Sequence, residues 1–304
     1  MLLRSFLLYL SELETARHLL TRSGIGQRMA RRFIAGEDLE DAVGAVHRLN
    51  DEGFEATLDC LGERVAEPAA AEEASRVYLG LLDRLHREGL RSHVSVKLTQ
   101  LGLGIDEEQA RRLLAAIAER AASHHNFVRI DMEGSAYTES TLRLFRQVNA
   151  PRDALGVVIQ SYLRRSERDV EELLAGGARI RLVKGAYKEP PELAFPHKAD
   201  VDRNFVKLME RLLASGGYHA IATHDPRLIA ATKAYAQAHG LSADRFEFQM
   251  LYGIRRHLWR ELLRQGYRVR VYVPYGKQWY AYFMRRLAER PANVLFLARN
   301  LFRR

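Results

Sequence analysis

Six short apolar runs in this chain end on or next to a polar side chain that can bind or react: Lys97 in HVSVKL, Asp131 in FVRIDM, Gln160 in LGVVIQ, Lys184 in RIRLVK, Thr223 with His224 in YHAIATH, and Tyr272 in RVRVYV. Arg181 sits inside the fourth of these runs. Lysine and arginine would hold an anion, aspartate would order a cation or an amine, and the amide and hydroxyls would fix a polar ring edge. Each also has an ordinary reading. Lys97 and Asp131 would make a structural ion pair, because buried charges need partners. His224, in ATHDP, would cap the helix that follows, and Gln160 and Thr223 would satisfy stray backbone groups. Further on, Arg285 and Arg286 stand side by side and offer planar donor forks of the shape a carboxylate accepts. Neighbouring residues do not share a helix face, so both reach one ligand only where that helix lies across the site. The alternative is a solvated pair balanced by Glu289, one turn on from Arg285.

The elements that must position these residues follow from periodicity. From residue 54 onward, β-branched or apolar runs alternate with stretches of helical period, the pattern of β/α units on a parallel sheet. The runs are 55–59, 93–98, 127–132, 155–160, 179–184, 218–223, 245–250 and 268–273. The helical stretches are about 69–88, 106–123, 138–149, 165–175, 199–214, 226–239, 253–265 and 276–290. Eight units with no interruption favour a closed (β/α)8 TIM barrel over an open sheet, and in such a barrel the reactive groups lie at the C-terminal ends of the strands. The fold class expected is therefore α/β, with residues 51–304 as the barrel and 1–50 as extra N-terminal helices packed on it. RIRLVK and RVRVYV alternate apolar with charged residues, so charge is expected inside the barrel.

Composition narrows the function classes. The chain carries 47 Lys and Arg against 38 Asp and Glu, a formal charge of +9. The basic residues are interleaved with carboxylates along helical stretches, and no basic block with interleaved aromatics tracks a phosphate backbone, so nucleic acid is not an expected partner. No apolar run reaches the roughly 20 residues that span a bilayer. The opening MLLRSFLLYLSE is too short and too soon acidic for a secretory signal and reads as a first helix. The single cysteine, Cys60, excludes an internal disulfide framework and fits a cytoplasmic setting. Its default reading is a buried inert thiol. GIGQRM at 24–29 follows a helical segment and lacks the last glycine of a dinucleotide fingerprint, so it reads as a turn between helices. No histidine spacing at strand ends beyond His224 supports a metal site.

Seven longer strings identify a resemblance: VSVKLTQLGL, RIDMEGSAYT, VVIQSYLRRS, RIRLVKGAY, IATHD, FEFQMLYGI and VYVPYGKQWYAYFMRRLAER, in order between residues 94 and 290. Together they resemble the proline dehydrogenase family in its small monofunctional bacterial form. The resemblance implies an FAD-dependent enzyme that oxidises L-proline to 1-pyrroline-5-carboxylate and passes electrons to a membrane quinone. Peripheral contact with the inner face of the membrane follows from that acceptor. Asp131 and Arg181 would be the catalytic pair, Arg181 near the flavin N5. The substrate would lie among Lys97, Arg285, Arg286, Tyr272, Tyr282, Leu251 and Tyr187. The cofactor would be held by Met132, Gln160, Arg181, Lys184, Gly185, Ala186, Thr223 and His224. The resemblance also implies that Glu289 pairs with the arginine and that the last helix lies over the barrel mouth. In hydroxyproline-oxidising relatives the position of Tyr272 is smaller and polar, so a tyrosine favours unsubstituted proline. The alternative is a dehydrogenase for a related cyclic amino acid such as hydroxyproline.

Overall fold

The computed structural model describes residues 20–21, 23–62, 64–149 and 154–288. Its centre is a closed parallel barrel of β1 (Glu55–Cys60), β2 (Ser92–Val96), β3 (Val128–Ile130), β4 (Leu155–Gln160), β5 (Arg179–Val183), β6 (His219–Ala222), β7 (Phe246–Leu251) and β8 (Arg268–Tyr275), paired in chain order. All eight predicted strands are present. Register closes the ring where Thr57 of β1 faces Tyr272 of β8 and Leu58 faces Val94 of β2. Outward positions such as Val94, Ile130, Val157, Ile180 and Val271 are fully buried under the helices. This is the apolar demand that a parallel sheet covered on its face imposes.

The helices are α1 (Gly24–Ala30), α2 (Leu39–Asp51), α3 (Pro68–Arg87), α4 (Glu107–Ser123), α5 (Thr138–Asn149), α6 (Ser166–Ala175), α7 (Lys198–Ala214), α8 (Pro226–Ala238), α9 (Arg256–Arg264) and α10 (Trp279–Ala288). Local chemistry sets several of their starts. Proline opens α3 and α8, where a missing N–H costs nothing, and Asp106 and Asp225 cap α4 and α8 by accepting backbone N–H groups. His224 therefore is not the cap of α8; its neighbour Asp225 is. GIGQRM is neither a phosphate loop nor a turn. It forms α1, whose first turn is capped by the Ser23 side chain accepting from Gly26.

The seam between β8 and β1 is covered by α2, which packs on both strands. The helix after β8 is thereby displaced from the outer ring, and α10 packs with α1 instead. Ala30, Phe33, Ile34, Leu61, Trp279 and Phe283 form a second apolar cluster there. Backbone bonds from Ala35 to Pro274 and from Leu61 to Tyr275 attach this cluster to the C-terminal end of the barrel. The opening leucine-rich segment and Glu289 lie outside the described residues.

Charge does lie inside the barrel. Arg270 donates to Glu247 at 3.0 Å and to Glu55, and Arg129 is buried and donates to the carbonyls of Val157 and Arg179. These groups fill the N-terminal half. A different set fills the C-terminal half.

Candidate active site

At the C-terminal end of the strands, five side chains from β1, β2, β3, β5 and β8 converge. Asp131 follows β3 and is held beside β2 by its own N–H, which donates to the Val96 carbonyl at 2.9 Å. One oxygen of its carboxylate accepts from Arg181 Nη1 at 2.7 Å, and the other accepts from the Tyr272 hydroxyl at 2.7 Å. Arg181 also donates through Nη2 to Ser95 Oγ at 3.2 Å, and its guanidinium lies 5.4 Å from the Tyr272 ring centroid. Lys97 Nζ is 2.6 Å from Asp59 Oδ1 and 3.7 Å from Asp131 Oδ2. The predicted Lys97 and Asp131 pair exists, but Asp59 is the nearer partner. Burial works against the Lys97 charge, yet Asp59 and Asp131 more than offset it and hold the ammonium above its ordinary range. Burial, then the Asp131 charge, pushes the Tyr272 phenol well above its ordinary value, so it stays a proton donor to Asp131.

One donor in this cluster is unused. Arg181 is buried, and among the described residues its Nε–H has no hydrogen-bond partner. A buried unsatisfied donor costs roughly 1–3 kcal/mol, which a polar acceptor placed beside it would recover. That is the local signature of a site built to receive a polar group.

The rim is laced together by loops. Glu133 accepts from the backbone N–H and the hydroxyl of Thr99 and, through its own carbonyl, from Gln160 Nε2 at 2.9 Å. Glu189 accepts from the N–H and hydroxyl of Ser135, which ties the loop after β5 to the loop after β3. Met132 is buried in the wall between them. Lys184, just past β5, lies 2.6 Å from Asp202 Oδ1 and 2.9 Å from Asp225 Oδ2. Gly185 has φ +103°, and a Cβ there would fall 2.1 Å from the Tyr162 ring. Glycine is therefore required by the packed tyrosine as well as by the backbone. Ala186 and Tyr187 are exposed on the same loop. Thr223 Oγ1 accepts from the Asp225 N–H, and His224 Nε2 accepts from the Leu251 N–H at 3.1 Å, so the turn after β6 is bonded to the end of β7.

On α10, Tyr282 is buried, Arg286 lies over its ring at 5.1 Å, and Arg285 is exposed. After burial, the charges acting on the Tyr187 phenol are Glu133, Lys97, Arg285 and Asp131. Arg285 is therefore near enough to the rim to act on the same phenol as Lys97 and Asp131. Cys60 ends β1 near this cluster, and burial, then Asp59, raises its thiol. It is half-buried and protonated, in keeping with an inert thiol.

A profile of the family described as "Proline dehydrogenase" matches residues 42–299. The chain belongs to the proline dehydrogenase family. It is 43% identical over 306 residues to proline dehydrogenase 1 of Bacillus subtilis, covering 100% of each chain. To proline dehydrogenase of Deinococcus radiodurans it is 43% identical over 284 residues, covering 90% of each. Among solved structures it resembles proline utilization A from Bdellovibrio bacteriovorus inactivated by N-propargylglycine, with TM-score 0.82 and 28% identity. That match covers 87% of this chain and 33% of the other.

For this proline dehydrogenase family chain, the strand-end reasoning missed Asp59, whose side chain is only 1% exposed beneath Lys97. The same rule could have found it, since it is the next-to-last residue of β1. Glu133 and Glu189 carried no such signal, because they lie in loops whose partners are far off in sequence. The glycine at 185 gives a direct check on the rim. Replacing Gly185 by alanine combines a strained φ with a collision, an expected loss of roughly 2–5 kcal/mol in unfolding free energy. Urea denaturation of wild type and variant would measure it, and an unchanged midpoint would contradict this packing.

Proposed function

We propose that this chain is an FAD-dependent dehydrogenase that oxidises L-proline to 1-pyrroline-5-carboxylate and delivers the electrons to a membrane quinone. The observation that carries the reading is the buried, partly unsatisfied Arg181 beside Asp131 at the mouth of a barrel of this family. Bound FAD supplies the hydride acceptor, whose acceptance a cation near N5 favours. Everything else falls to the chain.

Gln160, Arg181, Lys184, Thr223 and His224 would bind the cofactor, with Met132 and the Gly185 and Ala186 turn forming its wall. Arg181 donates from its free Nε–H while Asp131 holds its other end, so the guanidinium plane is fixed before substrate arrives. Arg285 and Arg286 bind the substrate carboxylate, and Lys97 adds positive charge from the opposite wall. Leu251, Tyr282, Tyr272 and Tyr187 enclose the ring and exclude water. For a substrate amine bound neutral, the C–H bond breaks with its electron pair leaving as hydride, the nitrogen's own lone pair forms the C=N bond, and the N–H proton of that iminium then passes to solvent to leave the neutral imine. Asp131 keeps the Tyr272 hydroxyl and Lys97 ordered around that nitrogen.

A second reading, oxidation of hydroxyproline, is disfavoured by Tyr272, whose hydroxyl is already committed to Asp131. Tyr272→Ser removes the ring from the apolar box. Proline kcat/KM is expected to fall about 10- to 100-fold, the value of a lost apolar contact of this size, while 4-hydroxyproline turnover rises. Steady-state assays with both substrates decide it. Unchanged selectivity would remove Tyr272 from the substrate pocket.

The cytoplasmic, peripheral placement follows from a quinone acceptor. No described helix is long and apolar enough to cross a membrane. The reading as a whole is tested by proline-dependent reduction of a soluble quinone analogue by the purified protein reconstituted with FAD. Absence of reduction in protein that has taken up flavin would reject it.

A further inference from the structure

The opposite end of the barrel holds a cavity of about 280 Å³, lined by Glu55, His86, Arg91, His93, His124 and Arg270 among others. Its walls come from the last turn of α3, the start of β2 and the turn after α4. Here β1 contributes its first residue, Glu55, and β8 its third, Arg270, so the cavity opens at the N-terminal end of the strands, away from the Asp131 cluster at their C-terminal end. Barrels of this type place their chemistry at the other face, and this face is ordinarily packed for stability.

The charges around it are unequal. Inside the barrel, the His93 ring packs 5.1 Å from Phe127, and the same Phe127 ring carries the guanidiniums of Arg129 at 4.8 Å and Arg179 at 4.3 Å. Inside the barrel, Glu55 and Glu247 both bind Arg270, and beside the lining Gly89 the carboxylate of Glu88 is held by His47 and Arg84. Among the described residues, Arg129 is left to main-chain carbonyls, and Arg179 keeps a buried Nε–H with no hydrogen-bond partner. On the outer wall, Asp83 is taken by Arg120 and by His124 Nε2 at 2.7 Å. Burial, then Arg270, Arg129, Arg179 and Arg181, hold His93 well below the ordinary imidazole range, so its neutral ring offers one N–H.

Helix C-termini draw cations, and that accounts for Arg84, His86 and Arg87 in the last turn of α3. It does not account for Arg129 and Arg179 within the barrel. A second oddity is His125, which also lines the cavity and adopts φ 51°, the position after a helix end where glycine is usual. The His86 and His124 rings stack at 4.2 Å beside it.

We propose that this cavity is a second ligand site, which takes a small oxyanion, inorganic or carboxylate. Arg91 and the ring N–H groups of His86 and His93 bind it, in the positive field of Arg129 and Arg179. The site does not depend on the reading of the mouth as a proline site.

The test is isothermal titration calorimetry on the flavin-loaded protein with sodium sulfate and, separately, sodium acetate, at constant ionic strength set with chloride. Each titration is repeated in Arg91→Gln, in His86→Leu and in Arg285→Met. The first two positions are exposed, so their variants should fold. Saturable binding is expected that survives Arg285→Met and weakens about tenfold in Arg91→Gln and His86→Leu, the equivalent of one charged hydrogen bond. Preference for sulfate would mark an inorganic ligand, and preference for acetate a carboxylate; either supports the site. No saturable heat with either anion, or binding lost in Arg285→Met and kept in Arg91→Gln, would overturn it.

Discussion

Arg181→Met is expected to slow proline-dependent flavin reduction by about 10²- to 10³-fold, the usual loss when a fixed donor near developing charge is removed. Two effects act together. On the proposed reading the guanidinium would no longer reach the cofactor edge, and Asp131 loses the nearer of its two cationic partners, keeping the Tyr272 hydroxyl and the more distant Lys97. The side chains of the pair are 5% and 13% exposed, so its loss should also cost roughly 3–5 kcal/mol in stability, as for other broken buried pairs. Arg181→Lys separates the two: it restores the charge but not the two-pronged donation to Asp131 and Ser95. Stopped-flow reduction under anaerobic conditions, with unfolding curves for each variant, reads both effects. A near-wild-type reduction rate in Arg181→Met would take this residue out of the chemistry.

Arg285→Met is expected to act differently. The residue is exposed on α10, so fold stability should barely change. If it binds the substrate carboxylate, KM for proline should rise about 10- to 100-fold, the equivalent of a lost hydrogen bond to a charged group. Its effect on kcat should be small, the pattern of binding lost equally from ground and transition states. Arg286→Met should resemble it in KM and also disturb the ring of Tyr282, over which Arg286 packs. If both forks grip one carboxylate, the double variant should lose less than the sum of the two. Wild-type KM in Arg285→Met would mean that the carboxylate binds elsewhere.

Much of this arrangement is legible in the amino-acid sequence. Eight strands could be read because each parallel strand is covered outside and must alternate apolar with whatever faces inward. That same alternation exposed Arg181 and Tyr272 as inward groups. The strand-end rule reached Lys97 and Asp131 for the same reason. Contacts closing across the ring were hidden: Asp59 and Lys97 are 38 residues apart, and Tyr272 and Asp131 are 141 apart. No local pattern records such pairings. The place of α2 was hidden as well, since periodicity shows an amphipathic helix without saying which seam it covers. GIGQRM misled in a smaller way, because two glycines suggested a turn where Ser23 starts a helix.

If the Arg181 and Asp131 mouth oxidises proline through a bound flavin, adding proline must reduce that flavin. The most direct measurement is the absorbance spectrum of the purified, FAD-reconstituted protein titrated anaerobically with L-proline. Flavin bands that bleach on adding L-proline, at a rate cut sharply in Arg181→Met, are the predicted result. Protein that acquires flavin absorbance but shows no bleaching with L-proline would contradict the account.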